Sequence, residues 1–198
     1  MEDNTKEEVI KGLENFLEFL GVKKNENTDK TPERILKAWQ EMCRGINKES
    51  EIDGVLATKF PSKYTGMIYQ GPIVAYSLCS HHLMPVVYEI HFGYIPVKYV
   101  LGLGKISKAI SLLAAKPQNQ EDLTQDIADK FKDSIRPEGL GVFVIGRHTC
   151  MFCRSNGVNH QNAVNITSAV RGSFRKNIST KEEFLKNINL GISKRSSI

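Results

Sequence analysis

The 198-residue chain is long enough for one compact domain with an appendage, and its 40% hydrophobic and 25% charged residues are ordinary for a globular protein. No run of about eighteen apolar residues occurs and residues 1–6 are polar, so we expect a cytoplasmic protein with no membrane span and no signal peptide. The net charge of +5 suits a phosphorylated ligand, but the basic residues are scattered, which argues against a nucleic-acid partner.

The first 64 residues are predicted to form a mainly helical segment. Apolar residues recur at helical spacing over residues 9–20, and Gly21 stands where a C-terminal cap belongs. A second helix is expected to use Thr31 as its N-cap, with Pro32 in its first turn. Residues 52–63 show no strong periodicity, which predicts a loop or an irregular segment.

Residues 65–190 are predicted to form the main domain, followed by a loose polar tail at residues 191–198. Strands are expected where apolar residues alternate or form short runs: residues 67–78, 87–95, 140–146 and 164–174. Helices are expected at three places: after the Gly102-Leu103-Gly104 break, after Pro117, and from the capping box that starts at Thr180. This order predicts an α+β fold with an antiparallel sheet and helices packed on one face.

The connection between the first two predicted strands contains a thiol and two imidazoles within four residues: Cys79-Ser80-His81-His82. The C-x-x-H spacing lets Cys79 and His82 reach one zinc ion from a tight turn, which leaves His81 beside the metal. A second segment, residues 148–154, contains His148, Cys150 and Cys153. Together the two segments hold three of the five histidines and three of the four cysteines, so we expect them to form one site.

Three of these residues form a plausible set of zinc ligands: Cys79, His82 and Cys150. Three protein ligands would leave one position for water, as in a catalytic zinc site. Alternatively, Cys153 is a fourth ligand, because its C-x-x-C spacing from Cys150 would allow a closed structural site. The spacing leaves both arrangements open. The additional histidines, His81 and His148, favour an open site that hydrolyses a carbon flanked by nitrogens or oxygens.

Two predicted helix starts contain residues that suit a nucleotide. Lys105 and Lys108 share one face of a helix whose start is flanked by glycines, and such a start can hold phosphate. Gln120 and Glu121 fall at the start of the next helix, where the helix dipole favours a carboxylate.

Five motifs together resemble those of the GTP cyclohydrolase I family in order and spacing. They are Thr31-Pro32-x-Arg34-x-x-Lys37, Cys79-x-His81-His82, Gly102-Leu103-x-Lys105, Gln120-Glu121-x-Leu123-Thr124 and His148-x-Cys150-x-x-x-Arg154. The similarity extends from about residue 13 to residue 188. The resemblance implies a tunnelling fold (T-fold) whose subunits pair their sheets into rings, with two rings forming a toroidal homodecamer. It also implies active sites between subunits.

The implied reaction is hydrolysis of the imidazole ring of GTP, with release of formate and rearrangement of the ribose to give 7,8-dihydroneopterin triphosphate. By motif position, the zinc ligands would be Cys79, His82 and Cys150, with Cys153 a bystander. Zinc would activate a water for attack at C8, His81 would protonate N7, and His148 would assist ring opening. Glu121 and Gln120 would bind the guanine edge. The triphosphate would be held by Lys105, Lys108, Arg154 and, from a neighbouring subunit, Arg34 and Lys37.

Four residues depart from the family pattern: Ser80 replaces a glutamate, Gly104 a serine, Lys108 an arginine and Ser155 a glycine. The serine is thought to serve the ribose rearrangement, so the later steps are the ones affected. The alternatives are therefore an enzyme that stops at the ring-opened formamidopyrimidine, one that uses another guanine nucleotide, and a non-catalytic zinc-stabilised binding module.

Overall fold

The computed structural model describes residues 2–154 and 163–195, with side chains described for residues 4–154 and 163–193. The chain divides into two compact units, Met1–Cys43 and Arg44–Ile198. Within the described ranges, no helix has both the length and the apolar character that crossing a bilayer requires.

The first unit contains two helices, α1 (Glu2–Phe19) and α2 (Thr31–Met42). Gly21 follows α1 with φ = +78°, the left-handed conformation that a glycine adopts without strain, as the sequence predicted for a cap. Thr31 is the first residue of α2, and Lys30 occupies the N-cap position. The predicted capping role of Thr31 is therefore wrong, although Pro32 lies in the first turn as expected.

The second unit contains a five-stranded sheet with helices on both faces. Its elements are α3 (Glu49–Ala57), β1 (Lys59–Pro61), β2 (Ile68–Cys79), β3 (Pro85–Ile95), β4 (Tyr99–Leu101), α4 (Leu103–Ala114), β5 (Pro117–Gln118), α5 (Gln120–Ile135), β6 (Gly139–His148), α6 (Thr149–Phe152), β7 (Asn165–Gly172), α7 (Ser173–Lys176) and α8 (Ile178–Arg195).

The strand order in the large sheet is β5-β2-β3-β6-β7, and β1 and β4 form a separate two-stranded sheet. All pairs in the large sheet are antiparallel except β2 with the short β5, which are parallel. The mixed α+β class and the predominantly antiparallel sheet were both predicted. The two-residue strand β5 was not, because so short a segment has no periodicity to read.

One face of the sheet forms the main core. The side chains that alternate along β3 are fully buried on this face: Tyr88, Ile90, Phe92 and Tyr94. Helices α4 and α5 pack against them, and the ring centroids of Phe92 and Phe131 are 4.5 Å apart. Helix α3 contributes Ile52 and Leu56 to the same core, so the prediction of an irregular segment at residues 52–63 is wrong. The helix has only nine residues and contains Gly54, which weakens the periodic pattern of apolar residues in the sequence.

The opposite face of the sheet is covered at one end by α7 and α8. Phe174, Phe184 and Ile188 form a second buried cluster there, beside Tyr69 and Phe143 of the sheet. The prediction of helices on one face was therefore incomplete. Helix α8 also continues through Arg195, where a loose tail was expected from residue 191.

Candidate metal centre

The end of β2 and the turn after it position the first cluster of metal-binding side chains. Cys79 is the last residue of β2 and its side chain is 6% exposed. The turn is closed by two backbone hydrogen bonds, from Cys79 N–H to Met84 O (2.9 Å) and from Leu83 N–H to Cys79 O (2.8 Å). Leu83 adopts φ = +51° to make this turn. The exposed His81 and His82 are thereby kept close to Cys79.

The second cluster reaches the same place through the end of β6. His148 ends that strand and pairs in register with Val86 of β3, the strand that lies between β2 and β6. The chain then turns into α6, where the Thr149 hydroxyl donates to the carbonyl of Pro85 (2.6 Å). This contact holds the start of α6 against β3, and Cys150 follows it directly.

Three donor side chains come together in the described part of the chain: Cys79, His148 and Cys150. Their sulfur and ring-nitrogen atoms all lie within 4.8 Å of one another. His82 is outside this group, although its Nδ1 is 3.8 Å from Cys79 Sγ, and His81 Nδ1 is 3.9 Å from the same sulfur. The expected ligands Cys79 and Cys150 are therefore adjacent, and both His82 and His148 border them.

The chemistry of these donors fits zinc. Two thiols and one imidazole are ligands that zinc prefers, and tetrahedral bonds of about 2.0–2.3 Å place neighbouring ligands roughly 3.5 Å apart. The three donor atoms lie within 4.8 Å of one another, so side-chain rotations would bring them to that spacing. Cys153 is exposed at the C-terminal end of α6, outside the three-donor group. Cys153 is therefore not among the three donors that the structure brings together.

Burial sets the ionisation of the groups around the centre. Burial lowers the pKa of His148, and the nearby carboxylate of Glu121 partly opposes that effect. Burial also raises the pKa of the Cys150 thiol, and the adjacent Cys79 raises it further. A raised pKa favours the protonated thiol. A bound cation would instead favour the thiolate, since metal binding displaces the thiol proton. Tyr88 lies beside His148 with ring planes at 77°, and burial raises its pKa so that the phenol stays neutral.

Two consecutive residues at the start of α5 have different surroundings. Gln120 is 3% exposed, and its Oε1 is 3.0 Å from Nε2 of His148. Glu121 is exposed in the first turn of the helix. The two residues were expected to act together on one ligand edge, but their burial differs sharply.

A hydrogen bond that the sequence did not predict joins the metal-binding turn to this helix. Ser80 Oγ donates to Oδ1 of Asn119 at 2.5 Å, and Asn119 is the N-cap of α5. The side-chain amide of Asn119 donates in turn to Asp122 (3.4 Å). Nothing in the local sequence pattern links residue 80 to residue 119, because the contact arises only when β2 and β5 pair.

The basic residues expected to bind phosphate have varied surroundings in the second unit. Lys105 is half-buried in the first turn of α4, while the exposed Lys108 lies 3.2 Å from a carboxylate oxygen of Glu51. Arg154 Nη1 donates to Nε2 of His82 at 2.6 Å, since a guanidinium cannot accept a hydrogen bond. Arg154 is therefore next to the centre.

Two further expected phosphate ligands lie in the first unit, on α2. Both Arg34 and Lys37 are exposed on this helix. The guanidinium of Arg34 donates to the carbonyl of Asn27, in the connection before α2, at 3.3 Å.

The fold and the site together define an α+β protein with a thiol- and imidazole-lined centre able to bind a metal. The family model described as GTP cyclohydrolase I matches residues 9–189. A curated protein named GTP cyclohydrolase 1 from Hydrogenobaculum sp. is 40% identical over 182 residues, which cover 91% of this chain and 96% of that protein. Another from Aquifex aeolicus is 39% identical over 182 residues, covering 91% and 95%.

A third relative, GTP cyclohydrolase 1 from Campylobacter concisus, is 39% identical over 179 residues, covering 89% of this chain and 92% of its own length. The chain therefore belongs to the GTP cyclohydrolase I family and is an enzyme of the hydrolase class. The resemblance read from the five sequence motifs is confirmed.

Proposed function

We propose that this chain hydrolyses the imidazole ring of GTP at C8, releases formate and forms 7,8-dihydroneopterin triphosphate. The observation that carries the proposal is the convergence of Cys79, Cys150 and two imidazoles beside the exposed carboxylate of Glu121. Family membership indicates that the substrate is a guanine nucleotide. Such a nucleotide fits these side chains because it contains both an imidazole ring and an edge of hydrogen-bond donors that a carboxylate can bind.

The zinc ligands in this proposal are the residues expected from the sequence: Cys79, His82 and Cys150. The position of His82 supports this set, since its Nδ1 lies 3.8 Å from Cys79 Sγ, close to the spacing between ligands of one tetrahedral ion. Binding through Nδ1 would require the ring proton on Nε2, so Arg154 would release its hydrogen bond to that nitrogen. When bound, zinc would supply the Lewis acidity that makes water a nucleophile near neutral pH. His148 borders the same two thiols and is the competing third ligand.

The remaining imidazoles transfer protons in the proposed reaction. His81 would protonate N7 of the guanine as the imidazole ring opens, and its ring nitrogen already lies 3.9 Å from Cys79 Sγ. His148, which also borders the two thiols, would assist opening of the ring. Burial lowers the pKa of His148, so its imidazole is neutral at physiological pH and able to accept a proton.

Glu121 would select guanine by accepting hydrogen bonds from N1 and the exocyclic amine. The carboxylate lies in the first turn of α5, where the helix dipole stabilises its charge. Adenine presents no matching pair of donors, so a carboxylate in this place would be left unpaired by ATP.

The triphosphate would be bound by basic residues from two places in the chain. Lys105, Lys108 and Arg154 lie in the unit that contains the metal centre, and Arg34 and Lys37 would come from a neighbouring subunit. Clustered Lys and Arg side chains supply charge-assisted hydrogen bonds to phosphate oxygens. Lys108 would exchange its ion pair with Glu51 for the phosphate when GTP binds.

The assembly that fits these assignments is a cytoplasmic toroidal homodecamer of T-fold subunits. In the described part of the chain, β7 has a neighbour on one side only, and Ile166 on this strand is 57% exposed. An unprotected edge strand readily pairs with a strand from another chain. Continuous sheets formed in this way would close into rings.

The proposal is tested by incubating zinc-loaded protein with GTP and measuring formate and pterin separately. We expect equal amounts of formate and of a pterin that becomes fluorescent after oxidation, and no product from ATP. Absence of formate with GTP, in protein shown to contain zinc, would overturn the proposal and leave a zinc-stabilised binding module. Formate release from another guanine nucleotide in preference to GTP would redefine the substrate.

A second candidate function is an enzyme that stops at the ring-opened formamidopyrimidine. The observation that favours it is Gly104, which stands where the family has a serine. A Cβ atom placed at Gly104 would meet no atom of the described residues within 4 Å, so there is room for a side chain but no hydroxyl. Formate without pterin in the same assay would establish this function.

A further inference from the structure

The side-chain amide of Gln120 is enclosed by hydrogen-bond partners from β6 and β7. Its Nε2 lies 3.2 Å from the carbonyl of Val144, 3.0 Å from the carbonyl of Asn165 and 3.1 Å from the hydroxyl of Thr167. Carbonyl oxygens accept and never donate, so the group that faces them must be the NH₂ and not the oxygen. The orientation of the amide is thereby decided by the backbone.

Because the NH₂ faces the strands, the amide oxygen of Gln120 faces His148. The distance from Oε1 to His148 Nε2 is 3.0 Å. An amide oxygen only accepts, so Nε2 of His148 must donate and must carry the ring proton in the neutral imidazole. The lone pair is then left on Nδ1, which is the nitrogen free to accept a proton or to bind a metal.

Two threonines hold Gln120 in this orientation. The Thr124 hydroxyl donates to the backbone carbonyl of Gln120 at 2.7 Å, and the two hydroxyls of Thr124 and Thr167 are 2.7 Å apart. Thr124 has used its proton on the carbonyl, so Thr167 donates to Thr124 and accepts from the Gln120 amide. The hydrogen bonds form a closed circuit in which each donor has an acceptor.

A glycine provides the space that this arrangement needs. A Cβ atom at Gly146 would collide with Oε1 of Gln120 and would lie 2.9 Å from a ring carbon of Tyr88. Gly146 is in β6, two residues before His148, so the close approach of its backbone admits the amide next to the histidine.

We infer that Gln120 is a positioning residue that holds His148 in the tautomer with the proton on Nε2 and the lone pair on Nδ1. Every polar atom of its side chain is used inside the protein, and the residue is 3% exposed, so it is not a ligand of the guanine edge. Glu121 alone of the pair would then contact the base. This inference deepens the proposed function, and its kinetic test rests on that function.

Neutron diffraction from deuterium-exchanged crystals of the wild-type protein tests the tautomer without any assay. We expect a deuteron on Nε2 of His148 and none on Nδ1. A deuteron on Nδ1 with Nε2 bare would overturn the inference whatever the enzymatic activity turns out to be. Failure of the GTP assay would leave this measurement unaffected, so the two failures are distinguishable.

A double-mutant cycle tests whether Gln120 acts through His148. We expect Gln120→Met to lower kcat by about 10–100-fold with little change in KM, since loss of a group that orients an active-site histidine has that effect. In the His148→Ala background the same substitution should lower kcat no further. If the double variant loses kcat by the product of the two single losses, Gln120 does not act through His148. That result, or a raised KM with unchanged kcat, would show a direct contact with guanine and overturn the inference.

Gln118→Met is the matched control. Gln118 is also buried and its amide also donates to backbone carbonyls, those of Leu113 and Ala114 at 2.8 and 2.9 Å, but it does not contact His148. We expect it to leave kcat within about twofold of wild type when corrected for folded protein, since an effect confined to stability does not change the chemical step. An equal loss of kcat in both variants would show that removal of any buried amide here is enough, which contradicts a specific action on His148.

Discussion

His82 and His148 border the same pair of thiols, and at the level of single residues the metal centre depends on which of them is the third ligand. Nδ1 of His82 lies 3.8 Å from Cys79 Sγ, and Nε2 of each ring has its own partner, Arg154 for His82 and Gln120 for His148. A ligand contributes to metal affinity, while a proton-transfer group contributes to turnover. Removal of the ligand should therefore lower metal content, whereas removal of the proton-transfer group should lower turnover.

We expect His148→Ala to retain zinc and lose turnover by about a hundredfold or more, as removal of an acid–base group does. His82→Ala should lose zinc. Metal content per subunit, measured by atomic emission after gel filtration, distinguishes the two variants, and Cys153→Ser is the control that should keep both zinc and activity. If His148→Ala loses the metal and His82→Ala keeps it, the assignments of the two histidines must be exchanged.

Gly104 is the residue at which the later steps of the reaction can be examined. A side chain there meets open space, so Gly104→Ser should fold normally and place a hydroxyl in the first turn of α4. If the wild type releases more formate than pterin, we expect the serine to raise the ratio of pterin to formate toward one. Gly104→Ala supplies the Cβ without the hydroxyl and should leave the ratio unchanged; equal gains in both variants would contradict a role for the hydroxyl.

At the scale of elements, the contact between β2, β3 and α8 includes a buried histidine outside the metal centre. His91 is fully buried, its Nδ1 is 2.7 Å from the Tyr69 hydroxyl, and its ring meets that of Phe143 edge-on. Burial lowers the pKa of His91, an effect that the Glu89 carboxylate partly opposes, and burial raises the pKa of Tyr69 to about 12. Both groups are therefore neutral at pH 7, and the phenol can donate to the imidazole.

The folded pKa of His91 is below its unfolded value near 6.5, so the unfolded chain binds more protons at mildly acidic pH. The stability contributed by the neutral ring is complete above about pH 6.5 and is lost as the pH falls toward the folded pKa. We expect the free energy of unfolding to fall between pH 7.5 and 5.5 by more in the wild type than in His91→Phe. The other histidines contribute equally to the pH dependence of both proteins, so the difference between the two proteins reports on His91. Identical pH dependence would contradict the prediction.

Close packing of α8 on the sheet depends on a glycine in β3. A Cβ atom at Gly93 would lie 2.8 and 2.9 Å from ring carbons of Phe184, which is itself buried. We expect Gly93→Ala to lower the free energy of unfolding by about 1–3 kcal/mol through overpacking. Gly54→Ala, in α3 and with open space at its Cβ, should instead raise it by about 0.5–1 kcal/mol. Chemical denaturation measures both, and equal effects would contradict the packing argument.

At the scale of the whole molecule, the proposed active site requires Arg34 and Lys37 from another subunit, so function and assembly are linked. We expect sedimentation velocity to give the mass of ten 22.3-kDa chains. A monomer with full GTP cyclohydrolase activity would contradict the proposed shared site. Residues 34 and 37 can be tested directly, since a mixture of inactive Lys37→Ala and inactive Glu121→Gln subunits should recover part of the activity through hybrid sites.

The sequence by itself determined the class of fold and the family, and it predicted which residues form the site. Alternating apolar residues in β3 predicted a strand with one buried face, because side chains in a strand point alternately to its two sides. The clustering of Cys and His in two short segments predicted a metal centre, since those side chains are the ones that bind zinc. Both signals are local, which is why they could be read without coordinates.

Only the tertiary structure decided how these residues are combined. Helix α3 contributes to the core and α8 covers the second face of the sheet, because buried contacts between distant segments override a weak local pattern. The pairing of β3 with β6 brings His148 to the two thiols. The burial of Gln120 among carbonyls of β6 and β7 places its amide against His148, which is the basis for the inferred positioning role. The physical reason is that hydrogen-bond partners far apart in the chain decide an amide's orientation, and residue spacing carries no record of them.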